Sequence, residues 1–168
     1  TIARDISDYP STENHGDPDR NFYREDIYVG YRYFETFARD RVLYPFGFGL
    51  SYTMFEKHVT DWSWDGERVS LNVTVTNTGK VPGREVVQLY LSAPQGTLGK
   101  PERVLCAFGK TGTLNPGESQ TLCLQVERSV FASYDDSGCT GYRSAWVLES
   151  GEYGLYLGGD VRSAQRIG

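Results

Sequence analysis

Residues 68–77 read RVSLNVTVTN. Val69, Leu71, Val73 and Val75 alternate with Ser70, Asn72, Thr74 and Thr76, the period of two required of a strand with one buried and one wet face. NTGK follows as a turn. The run REVVQLYLS then places Val87, Leu89 and Leu91 in one phase, with Val86 and Tyr90 in the other, which predicts a strand covered on both faces. A Pro-Gly turn in LNPGES leads into QTLCLQVE, where Leu122, Leu124 and Val126 repeat the alternation. The turn LESGEY precedes YGLYLGG, with Tyr153, Leu155 and Leu157 in phase.

With FEKHVTDWSW ahead of these runs and VLCAFGK, FASYD and SAWVL between them, the chain reads as about seven or eight short strands separated by turn chemistry. No segment offers ten residues of helical periodicity. The expected fold class is all-β: a two-sheet sandwich of the immunoglobulin or fibronectin type III architecture, ordered over residues 55–161 and carrying an N-terminal loop-rich extension. Its core is expected from Leu71, Val73, Val75, Leu89, Leu91, Phe108, Leu122, Leu124, Trp146, Tyr153 and Leu155, with Trp62 or Trp64 as a further plug.

The first 52 residues have a different grammar. They are polar and rich in Asp, Asn and Pro, then dense in aromatics at Tyr28, Tyr31, Tyr33, Phe34 and Phe37. A loop-rich segment of this length is not expected to stand alone. The stretch VLYPFGFGLSYTMFE, residues 42–56, alternates Phe46 and Phe48 with Gly47 and Gly49, so large rings flank positions where the backbone can approach another surface closely or take a positive φ. That is the composition of a docking segment, not of a solvated linker.

Composition narrows the partners. The 168-residue chain has a net charge of −5 with its basic residues scattered, which argues against a phosphate-tracking surface and so against nucleic acid. No apolar run approaches the roughly 20 residues of a membrane-spanning helix, and the expectation is a soluble chain without a membrane partner. It starts Thr-Ile-Ala, its single methionine is Met54, and it is read as a piece of a longer protein. Cys106, Cys123 and Cys139 lack metal-ligand spacing, and an odd number cannot all pair within one chain. Cys123 is in phase with Thr121 and Gln125, away from the core, so nothing indicates a bridge to Cys106. Asn72, Val73 and Thr74 form a glycosylation triplet of a kind that also arises by chance.

The candidate chemistry is sparse. Asp135 with Asp136, and Glu25 with Asp26, are the local carboxylate pairs, but strand neighbours point to opposite faces, and SYDDSG reads as a turn with a solvated acidic pair. His15 and His58 lie far apart with no cysteine nearby. HGDPDRN, residues 15–21, lacks the Asp spacing and closing Glu of a calcium loop and reads as a polar loop. Tyr28, Tyr31, Tyr33 and Phe34 could form a sugar-stacking platform, but in an extended segment Tyr31 and Tyr33 share one face while Phe34 and Tyr28 take the other, so packing is the expected role. No catalytic, cofactor-binding or metal residue is assigned, and no cofactor is expected.

The succession EDIYVGYRYFE, LYPFGFGLSYTMF, VTVTNTGKVPGREVVQLYLS, LNPGES and WVLESGEYGLYLGG, in this order and at these distances, resembles the C-terminal region of family 3 glycoside hydrolases, the β-glucosidase and β-xylosidase group. PFGFGLSYT is its most specific motif. The resemblance implies that residues 1–45 are the tail of an α/β sandwich domain, residues 46–54 a connector, and residues 55–168 a fibronectin type III-like domain. It also implies that the family's catalytic carboxylates, a nucleophilic Asp and an acid/base Glu, lie in segments not represented here. The expected function is therefore a non-catalytic portion bracing the catalytic domains of a retaining β-glucosidase-like enzyme, its partners being those domains and, only through them, a carbohydrate substrate. The alternative is a stand-alone carbohydrate-binding or protein-interaction β-sandwich module.

Overall fold

The computed structural model describes every residue except His15, Asn21 and Gly168, so the readings made for His15 and for both ends of the 15–21 loop lie outside the described residues. In chain order the strands are β1 (Ile2–Ala3), β2 (Val42–Tyr44), β3 (Phe55–Trp64), β4 (Arg68–Asn77), β5 (Val86–Ser92), β6 (Val104–Lys110), β7 (Ser119–Glu127), β8 (Ser133–Asp135), β9 (Ala145–Val147), β10 (Gly154–Gly158) and β11 (Gln165–Arg166), with one α-helix, α1 (Tyr31–Phe37).

Two sheets make the sandwich expected from the alternation, one in the order β3-β4-β7 and one in the order β11-β10-β5-β6. β4 is the central strand of the first. Its Val69, Leu71, Val73 and Val75 face Val87, Leu89 and Leu91 of β5, and Leu124, Val126, Leu155 and Leu157 complete one buried cluster. At the end where the connector enters, the wholly buried Asn77 accepts from Thr53 Oγ1 at 2.7 Å and donates to the carbonyls of Val81 and Leu114 at 2.8 Å each. One amide thus ties the Thr53 hydroxyl to the backbone carbonyls of two separate turns, where an unpaired polar group would be costly.

β5 is covered on both faces, as its sequence predicts. Gln88 and Tyr90 point away from the sandwich core and are nevertheless buried, because the N-terminal extension lies over them.

Several core expectations need correction. Phe108 is 68% exposed: it pairs with Gln88 and so shares the outer face, beyond the reach of the covering segment. Trp146 is 71% exposed, because it pairs with Tyr134 in the β8-β9 hairpin, which belongs to neither sheet. Leu122 and Tyr153 are only half-buried and pack at the margin of the core. Trp62 and Trp64 lie opposite the core residues Leu71 and Val69 yet are half-exposed, since β3 is an edge strand. In the extension, residues 31–37 are helical, so the assignment of Tyr31 and Tyr33 to one strand face is wrong. Tyr31, Phe34 and Ala38 follow helical spacing instead.

These placements separate two substitutions. Leu124→Ala, which empties a buried site, is expected to cost about 2 to 5 kcal/mol in denaturant unfolding, whereas Phe108→Ala is expected to stay within about 0.5 kcal/mol.

Candidate interaction surface

The extension is held to the sandwich by a seam whose parts come from all along the chain. Gly30, at φ 61°, turns the backbone into α1. At the start of the helix the Tyr31 ring stacks on Phe46, with centroids 4.3 Å apart and planes 17° apart, and both rest on the cluster of Tyr90, Val161 and Ala164. The Tyr31 hydroxyl accepts from the Leu105 amide at 2.8 Å, and Thr36 Oγ1 accepts from the Glu102 amide at 2.9 Å. The Phe46 carbonyl accepts from the Val161 amide at 3.0 Å. Gly47, at φ +86°, brings the backbone so close that a Cβ would sit 2.3 Å from Gln88 Oε1. The positive φ favours glycine here, and any other residue would also have to displace the Gln88 amide.

Polar groups inside the seam are satisfied. Gln88 donates to the carbonyl of Gly159 and accepts from the Tyr90 hydroxyl. Burial raises the Tyr90 phenol far above the ordinary tyrosine range, so the ring stays protonated and donating. On the far side of α1 the buried Glu35 receives Arg162 Nε at 2.9 and 3.1 Å and Arg39 Nε at 3.3 Å, while Arg162 Nη2 donates to the Arg39 carbonyl at 2.8 Å. A buried carboxylate with two guanidinium partners is compensated.

A ridge of apolar side chains on β2 and the connector that follows it is exposed. Leu43, Tyr44, Phe48, Leu50, Tyr52 and Met54 are all exposed, Leu50 at 92% and Tyr52 at 101%. Tyr44 and Phe48 hold each other, with centroids 5.2 Å apart. So many large apolar groups in one short stretch mark a contact surface.

The four aromatics weighed as a sugar platform do not form one. Phe34 is buried in a small cluster with Ala3, Ala38 and Val42, and Tyr31 is committed to Phe46. The carboxylate pairs are likewise absorbed. Glu25 accepts from the Ser11 hydroxyl. Asp135 is a correction: it is fully buried and not a solvated turn residue, and its oxygens receive Thr140 Oγ1 at 2.6 Å and the amides of Gly138 at 2.7 Å and Thr140 at 2.8 Å. Asp136 is exposed beside it. The Thr140 hydroxyl first, and then the backbone donors, hold the Asp135 carboxyl far below the ordinary range. His58 is exposed on β3 opposite Thr74. Cys106, Cys123 and Cys139 are free thiols, and burial pushes that of Cys106 up to about 12. Among the described residues no group of three His, Cys, Asp or Glu could hold a metal ion.

Residues 85–161 match the fibronectin type III-like domain family. A β-glucosidase of Ruminococcus albus is 55% identical over 165 residues, 98% of this chain and 17% of its own length. β-Glucosidase A of Butyrivibrio fibrisolvens is 49% identical over 185 residues, 99% of this chain and 22% of its own. Among solved structures, a β-glucosidase from Paenibacillus barengoltzii superposes with a TM-score of 0.97 at 53% identity, covering 100% of this chain and 19% of that one. The family 3 β-glucosidase of Bifidobacterium adolescentis superposes at 0.85 with 33% identity, covering 98% of this chain and 24% of its own. The chain belongs to the family 3 β-glucosidase-like proteins, and its residues 85–161 form the fibronectin type III-like domain. It spans about a fifth of the length of the relatives it matches.

In this fibronectin type III-like chain the sequence signalled Phe46, Gly47 and the cover over β5, but not the Glu35 and Arg162 clamp, whose members are 127 residues apart. Two outcomes test the seam and the hairpin. Phe46→Ala is expected to speed amide exchange across α1 while leaving β4 and β7 protected, as read by hydrogen-exchange mass spectrometry. The Asp135 carboxyl is lower in the folded than in the unfolded state, so its stabilisation is present above the unfolded value of about 3.9 and is lost as pH falls below it toward the folded value. Trp146 fluorescence is expected to report the hairpin opening only in that acid window, and Asp135→Asn is expected to open it at neutral pH.

Proposed function

We propose that this chain is a non-catalytic part of a family 3 glycoside hydrolase that braces the catalytic domains of an enzyme hydrolysing terminal β-glycosidic bonds with retention. In this reading residues 1–45 close off the preceding α/β domain, residues 46–54 are the connector, and residues 55–168 are the fibronectin type III-like domain. The observation that carries the proposal is the two-sided connector: Phe46 and Gly47 are locked into the sandwich, while Phe48, Leu50, Tyr52 and Met54 present apolar surface outward from the same short stretch. A segment fixed on one side and apolar on the other suits a wedge between packed domains. Relatives about five times longer, named as β-glucosidases, supply the kind of partner it would meet. Carbohydrate would be reached only through those domains, and neither nucleic acid nor membrane enters the proposal.

Retaining hydrolysis needs two carboxyl groups about 5 Å apart flanking the sugar. Asp135 has both oxygens bound within its own turn, and Glu25 is occupied by Ser11. The isolated chain is therefore expected to hydrolyse neither aryl β-glucosides nor aryl β-xylosides, the full polypeptide to be active, and the full polypeptide truncated after Asp40 to yield strongly reduced soluble activity. Turnover by the isolated chain that disappears on Asp135→Asn or Glu25→Gln would overturn the proposal.

A further inference from the structure

The two sheets of the sandwich end in β3, β7, β6 and β11, and these edges are not alike. β11 is short. β3 carries Glu56, Lys57 and Asp61 and breaks its register with β4 between Val59 and Asp61. The pairing of β6 with β5 shifts between Leu89 and Tyr90. Shortness, charge and bulges are the devices that keep an edge strand from acquiring a neighbour. β7 has none of them: its 9 residues pair with β4 without a shift, and from Ser119 to Val126 it holds no charged residue, proline or glycine.

The bonds at its ends say which groups of β7 face away from the sheet. The Asn77 amide donates to the Glu118 carbonyl at 3.0 Å and the Arg128 amide to the Glu67 carbonyl at 2.7 Å, and both bonds continue the register of β4 with β7. Bonded and non-bonded positions alternate along an antiparallel pair. The even-numbered residues of β7 are therefore bonded to β4, while Ser119, Thr121, Cys123, Gln125 and Glu127 turn their amides and carbonyls to the side where no strand of the sheet lies.

The strand is close to its own complement about Cys123. Laid antiparallel on the same strand of a second copy, with Cys123 opposite Cys123, Leu122 meets Leu124, Thr121 meets Gln125, and at the ends Glu118 meets Arg128. Even positions meet even ones, so the core faces of the two copies stay on one side. The Arg128 guanidinium has within its own chain only the exposed Glu67, at 3.5 Å, and Glu118 accepts from Asn115 through one carboxylate oxygen. Next to this edge, Cys106, Ala107 and Phe108 of β6 and Leu124 of β7 line an open cleft of about 380 Å³, which a strand added to β7 would border. We infer that the β7 edge is a dimerisation surface whose occupant is a second copy of the chain: β7 pairs antiparallel with β7 of its partner across a two-fold axis at Cys123, and the β3-β4-β7 sheets of the two copies join into one continuous sheet. A two-fold contact requires a surface that complements itself. Backbone bonds supply the attraction, and the Glu118 and Arg128 pairs at both ends hold the register against slippage. The inference does not rest on the bracing role and can fail while that role stands.

Sedimentation velocity of the full polypeptide and of the chain is expected to give twice the monomer mass, which for the chain is 18.9 kDa. Thr121→Lys combined with Gln125→Lys sets like charges opposite one another on both sides of the axis and is expected to weaken the dimer about tenfold or more. Thr121→Glu combined with Gln125→Lys sets opposite charges there and is expected to keep it, with unchanged far-UV circular dichroism in both variants. Cys123 reports the register directly. With Cys139→Ser in the chain, the other thiol is that of Cys106, which is turned toward the Leu89 carbonyl, and a short bismaleimide is expected to join two copies through Cys123 and to fail once Cys123→Ser is added. A full polypeptide that stays monomeric at every concentration, a dimer indifferent to the paired lysines, or cross-linking that persists without Cys123 would overturn the inference.

Discussion

Tyr90 and Gln88 stand on the outer face of β5, and the burial of that face organises the molecule. A sandwich of this kind ordinarily leaves the outer side of each sheet to water, with polar residues there. Here the inner face carries Val87, Leu89 and Leu91, and the outer face carries a phenol and an amide that are both buried. Once those two residues are fixed, the extension must bring a ring to cover Tyr90, and a backbone carbonyl must meet Gln88. Tyr31 and Phe46 supply the first, and Gly159 supplies the second. The glycine at position 47 follows from the same demand, because any Cβ there would collide with the Gln88 amide.

Polar groups give the seam its specificity. Apolar rings alone would tolerate sliding of the extension over the sheet, but the Tyr31 hydroxyl on the Leu105 amide, the Phe46 carbonyl on the Val161 amide and the Glu35 carboxylate between two arginines each fix one point. Breaking one partner of such a buried pair costs more than the pair contributes to stability, because the other charge is left uncompensated. The arrangement is therefore strict about position even where its net contribution is small.

Period-two alternation made β4, β5, β7 and β10 legible, because each has a core face and a distinct second face. It failed where burial is decided by what lies outside the strand. Phe108 is apolar and regularly placed, yet no described residue covers its end of the outer face. Trp146 belongs to a hairpin outside both sheets. The helix α1 is seven residues long, too short for a helical repeat to stand out from a run of aromatics. Asp135 looked solvated because its partners are backbone amides and a threonine hydroxyl within five residues, and a turn folded around a carboxylate has the composition of any polar turn. The connector was legible because rings alternating with glycine have few other uses.

The clamp between Glu35 and Arg162 joins residues near opposite ends of the chain, and this sets an order of events during synthesis. The extension leaves the ribosome before the sandwich strands do, whereas the turn that receives it, residues 159–164, follows β10. A helix of seven residues does not persist on its own in water, so Tyr31 and Phe46 must wait, unsheltered, until Tyr90, Val161 and Ala164 have been translated. The closing step is a long loop, slow in the way that non-local contacts are slow. The rings of the aromatic extension thus stay exposed to chaperones and to neighbouring chains for longer than the strands they cover, although in the finished fold they lie over the most buried strand.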